Sequence, residues 1–114
     1  MMVEHVTVLT ALQVVVASGA SHKSPIVRTC ASRLMDKLVT QLGAERVVGC
    51  SQEFQEIIFQ AGHKLLIDSN VDARKHARHC FGQLIHHRKF ESLELKFLKE
   101  NERREIKKTL DSLQ

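Results

Sequence analysis

The stretch Asp68 to Cys80, DSNVDARKHARHC, gathers a thiol, two imidazoles and three cations into thirteen positions. His76 and Cys80 stand four residues apart, a spacing that puts both on one face of a helix. Two such ligands begin a metal site, but a tetrahedral zinc centre needs four donors. Cys30 and Cys50 are isolated, no CxxC occurs, and only the pair His86–His87 lies nearby. No metal is therefore expected, and the cluster reads as a solvated basic face around a core thiol. Catalysis has as little support. A nucleophilic cysteine needs an accessible electropositive pocket, whereas Cys30 and Cys80 both fall on apolar stripes. Glycine-rich phosphate loops, GxSxG and HExxH are absent. The expectation is a non-catalytic chain without a cofactor.

The elements that carry these residues are helical. Across 114 residues there are five glycines, one proline and no Trp or Tyr, while Leu, Lys, Glu, Gln and Arg are plentiful. That length holds one domain. A formal charge of +4 and a pI near 9.2 favour an acidic partner. Three widely spaced cysteines make a poor disulfide framework and fit reduced, buried thiols inside a cell. The N-terminal MMVEHVTVLTALQVVVASGA has no Lys or Arg and is interrupted by Thr7, Thr10 and Gln13. It reads as a buried helix rather than a secretory leader or a membrane span.

Six helices are expected. The first runs from Val3 to Ser18, with Gly19 as its stop. Ser24 caps the second, Pro25 takes its first position, and its stripe is Val27, Ala31, Leu34, Leu38 and Leu42. After a turn at AERVVG, Ser51 caps a third helix reaching about Ile67, with Phe54, Ile57, Ile58, Ala61 and Leu65 inward. The fourth spans Val71 to His87, with Ala73, Ala77, Cys80, Phe81 and Leu84 inward. Two shorter helices follow, broken near Glu100 to Asn101.

These helices repeat. SPIVRTCASRLMDKL, Ser24 to Leu38, aligns with NVDARKHARHCFGQL, Asn70 to Leu84, placing Arg28 on Arg74 at an offset of 46 residues. That falls in the window of about 40–47 residues for HEAT or armadillo units. A lone helical hairpin cannot bury its apolar face, whereas stacked hairpins can. The expected fold is an all-α solenoid of HEAT-repeat hairpins, an αα-superhelix. Residues 1–42 form the first hairpin, 51–88 the second and 90–113 a terminal pair. The very apolar opening helix is expected to continue a longer, multidomain chain, in which this segment is a monomer.

The turn-plus-helix starts SHKSPIVRTCA and DSNVDARKHAR resemble the HEAT pattern of polar turn, small or β-branched residue, Arg, then Ala. NVDARKHARHCFGQL, with KFESLELKFLKENERREIKKTLDSL after it, resembles the C-terminal half of a TOG domain. The resemblance points to the branch of CLASP-like proteins and crescerins, TOG-array regulators of axonemal microtubules. It implies a paddle whose intra-repeat turns line one edge and bind tubulin, in the cytoplasm on the cytoskeleton or in the cilium. By that match His22, Lys23, Arg28, Asn70, Arg74, Lys75 and Arg78 are the candidate tubulin contacts. The chain lacks the tryptophan that tubulin-binding members commonly place in their first turn.

Each contact has a plainer reading beside it. An Arg that recurs at one repeat position serves the repeat first, so Arg28 and Arg74 are expected to pair with Asp68 or Asp72 and with turn carbonyls. Lys23 and Lys75 are expected to be more exposed. Arg74, Lys75, Arg78, Arg88 and Lys89 make one region basic enough for a nucleic-acid reading, but no aromatic platform accompanies them. A HEAT adaptor for another protein is a further alternative.

Overall fold

The computed structural model describes residues 14–49 and 51–113. Among them are seven helices and no strand. Residues 14–20 form α1, followed by α2 (Pro25–Leu42), α3 (Ala44–Val48), α4 (Gln52–Leu66), α5 (Val71–Leu84), α6 (Phe90–Phe97) and α7 (Glu100–Leu113). The expected helical start at Val3 and the residue Cys50 lie outside the described residues.

Local chemistry sets the boundaries. Ser24 is extended ahead of Pro25, as the residue before a proline must be, but its side chain makes no cap bond. Its own N–H donates to His22 Nδ1 instead. At the other end Gly43 adopts φ 82° and donates to the Val39 carbonyl, a conformation that glycine reaches without a Cβ clash. Ser51 caps α4, accepting from the Phe54 N–H. Asn70 caps α5 more completely, accepting from the N–H groups of Asp72 and Ala73 at 2.9 and 3.2 Å.

One hydrophobic core runs through the elements, from Val16 on α1 to Leu110 on α7. Its densest part is aromatic: Phe59 stacks at tilted angles on Phe81, Phe90 and Phe97, with ring centroids 5.4–6.1 Å apart. Gly62 lets α4 approach this cluster, because any Cβ there would collide with the Phe81 ring.

α2 and α5 lie side by side and run parallel. Ser32 donates to the Ala73 carbonyl, His79 meets Asp36, and Gln83 donates to Thr40. These partners are 41–43 residues apart, a few fewer than the 46 of the sequence repeat. A stagger of about one turn between the two parallel helices produces that difference.

Several expectations change. Gly19 is not a stop; the helix continues through Ala20, and both are buried. A Cβ at Gly19 would come within 2.6 Å of the Ala31 Cβ, so this glycine permits close approach of α1 to α2. The α2 stripe rotates to Ala31, Ser32, Met35, Leu38 and Val39, because α5 occupies one flank of the helix. Val27 is left 36% exposed, and Leu34 and Leu42 are half-buried. Cys30 is exposed, not buried. AERVVG is a short helix closed by Val47 N–H to Gly43 O and Gly49 N–H to Glu45 O, which raises the count from six to seven. α5 ends at Leu84 instead of His87, since Phe90 turns back into the core through bonds from His87 to Leu84 and from Phe90 to His87. The last break falls at Leu98–Lys99. Leu98 is extended and buried there, and the Lys99 N–H donates to Glu102 Oε1.

Candidate protein-binding edge

The turns before α2 and α5, residues 21–24 and 67–70, meet at one end of the helix pair. Arg28 joins them. Its Nε–H donates to Asp68 Oδ2 at 2.7 Å, and its Nη1 donates to the carbonyls of His22 and Lys23 at 3.0 and 2.9 Å. Asp68 is only 9% exposed, and its other oxygen accepts from the Asn70 N–H. Thr29 Oγ1 reaches Asn70 Oδ1, and Lys64 donates to Ser21 Oγ. The expected structural pairing of Arg28 is therefore present, and it fixes the two turns against each other.

The seven candidate contacts divide on this basis. Arg28, Asn70 and His22 spend their polar atoms on the turns: the guanidinium bridges them, the amide caps α5, and the imidazole accepts from Ser24. Lys23, Lys75 and Arg78 are exposed and Arg74 is half-buried. None of these four meets a carboxylate within ion-pair distance among the described residues. The pairing expected of Arg74 with a turn aspartate does not form, since Asp68 is already taken by Arg28.

Apolar side chains share the edge, and sequence reasoning missed them. Ile26 is 76% exposed, Val71 65%, Ile67 45% and Val27 36%. A signal was available. Ile26 lies well off the apolar stripe of α2, where a helical wheel turns it towards solvent. Exposed aliphatics ringed by cations have the anatomy of a protein-docking patch.

Other clusters hold less. Cys80 is fully buried, and burial, with the Asp36 carboxylate adding to it, pushes its thiol well above the ordinary value. Such a thiol stays protonated and unreactive. A cleft of about 700 Å³ opens between the turn after α5 and helices α6 and α7, lined by Phe90, Glu94, Leu95, Arg103 and Lys107 among others. Burial raises the Glu94 carboxyl; Arg103 opposes the shift, and Glu91 and Asp111 add to it. Among the described residues no three His, Cys, Asp or Glu side chains come together as metal ligands. No described helix is long and apolar enough to cross a membrane.

No family model matches the chain, and no solved structure matches it.

Proposed function

We propose that this chain is a non-catalytic, TOG-like helical-repeat segment that binds tubulin through the edge formed by its two turns, as part of a cytoskeletal microtubule regulator. The parallel stacking of α2 on α5, with partners 41–43 residues apart, supports reading the fold as a solenoid of HEAT hairpins. The observation that carries the binding reading is the composition of the edge. Ile26, Ile67 and Val71 stand exposed beside Lys23, Arg74 and Lys75. Cations steer encounter with an acidic protein surface and fix its orientation, and aliphatic side chains supply burial that a phosphate backbone does not reward. Nucleic acid is the weaker partner on that ground. Membership of the axonemal branch rests on the resemblance of NVDARKHARHCFGQL and the helices after it.

Each exposed charge pair contributes less than about 1 kcal/mol, so the edge acts through several side chains presented together. The double variant Lys23→Glu/Val71→Asp tests this. Both residues are surface positions, where substitutions usually cost within about 0.5 kcal/mol. The helix content should stay unchanged by circular dichroism, while co-sedimentation or gel filtration with tubulin heterodimer loses the complex. A tubulin complex of unaltered affinity, or duplex DNA bound more tightly than tubulin at physiological salt, would remove the edge from the site.

A further inference from the structure

Helices α2 and α5 have a solvent face beyond the turn edge, which adds Arg33 and Lys37 to the candidate contacts Lys75 and Arg78. On its solvent side α2 carries Arg33 and Lys37, and α5 carries Lys75 and Arg78, all exposed. Arg33 and Lys37 are about 6 Å apart along one helix, and Lys75 and Arg78 are spaced similarly along the other. The axes of packed helices lie about 8–10 Å apart, and the His79–Asp36 and Gln83–Thr40 bonds hold these two in register. The result is a group of four exposed cations on neighbouring turns of two helices. Counter-charge is sparse. Of the two acids on these helices, Asp36 is 15% exposed and engaged by His79 and Gln83, and Asp72 sits at the N-terminal end of α5. None of the four cations meets a carboxylate within ion-pair distance among the described residues.

We infer that this α2–α5 face takes an extended, glutamate- or aspartate-rich segment of the partner polypeptide, alongside the contact made at the turn edge. The inference rests on the reading of that edge as a protein-binding site. Charge complementarity names an anionic occupant. The chemistry of the face then selects a peptide over nucleic acid. A duplex-binding protein commonly makes about 6–10 phosphate contacts, more than four cations supply. Single strands are held by aromatic stacking, and neither helix exposes a Phe, Tyr or Trp side chain. The face is also continuous with the docking edge through Ile26 and Val71, the first exposed aliphatics of α2 and α5. A chain leaving an apolar contact there runs directly onto the cations. Carboxylates at extended-peptide spacing alternate sides about every 3.3 Å, so every second residue, about 7 Å on, meets the same helix.

Fluorescence anisotropy with a labelled oligoglutamate peptide tests the inference. Arg33→Glu/Lys37→Glu should weaken peptide binding by at least about tenfold, and raising salt should weaken the wild type in the same direction. Lys23→Glu, which lies at the edge and on neither helix, should change peptide affinity by less than about threefold while weakening the tubulin complex. Unchanged peptide affinity in Arg33→Glu/Lys37→Glu, no peptide binding by the wild type, or preferential binding of a labelled DNA duplex would each overturn the inference. Failure of the edge reading is separate: there the edge variant keeps its tubulin complex, whatever the peptide does.

Discussion

At the scale of single residues, Arg28 decides the most. It sits on α2, yet its guanidinium serves both turns, with one donor on Asp68 and two on the carbonyls of its own turn. The Asp68 side chain is 5% exposed and that of Arg28 is 20% exposed, so the pair is shielded and hydrogen-bonded. The stabilising value of such a pair is modest, but removing one partner strands the other in a low-dielectric site. Arg28→Ala is therefore expected to cost about 2–3 kcal/mol, read as a lower urea midpoint with an unchanged slope. Arg28→Lys recovers part of this at most, since one ammonium cannot reach three acceptors arranged for a planar fork. Arg28→Ala/Asp68→Ala should be less destabilised than the Arg28→Ala cost plus that of Asp68→Ala, because the double variant leaves no charge unpaired. A cost below about 0.5 kcal/mol for Arg28→Ala would show that the turns hold their positions without it.

At the scale of elements, the two repeated helices start differently although their sequences align. The Asn70 side chain accepts two backbone N–H bonds, whereas the aligned Ser24 side chain accepts none and the helix relies on Pro25, which has no N–H to satisfy. Asn70→Ala should destabilise by about 1–2 kcal/mol and Ser24→Ala by only a few tenths; equal losses in thermal melts would contradict the assignment. The same pair shows what was legible in the sequence. Polar residue, helix start and apolar spacing recur at Ser24 and Asn70, so the two turns that begin α2 and α5 and the inward face of α5 followed from the residues. The inward face of α2 followed only in part. Its buried arc depends on which neighbour lies on which flank, and Ser32 is fully buried only because Ala73 of α5 offers a carbonyl. Gly19 misled for a similar reason, since a glycine marks a helix end and a close helix contact equally well. AERVVG was too short for periodicity to separate a helix from a turn. At the edge, the cations were visible as residue types. Among the aliphatics, Ile26 was legible from its place off the stripe, whereas Val27 fits an apolar stripe and only packing shows that it faces out.

At the scale of the whole molecule, the aromatic cluster bears on how the chain unfolds. A solenoid stacked only by nearest neighbours frays from its ends, each unit losing structure at its own stability. Here Phe59 of α4 touches Phe81 of α5, Phe90 at the start of α6 and Phe97 at its end, and Phe81 meets Phe90 edge-on at 6.0 Å. His63 adds a polar tie, its Nε2 lying 3.1 Å from Glu105 Oε1 on α7. Elements α4 to α7 therefore share one set of contacts and are expected to open together. Phe81→Ala removes the ring that closes this set and that Gly62 was shaped to receive, at a cost of about 3–5 kcal/mol. Native-state hydrogen exchange should then show protection falling by a similar amount in α4, α5, α6 and α7. Loss confined to α5, with α6 and α7 keeping their wild-type protection, would mean that the terminal pair is stabilised independently of the cluster. The contacts around Phe59 predict the opposite, because the two ends of α6 pack on the same ring and neither can leave without exposing it.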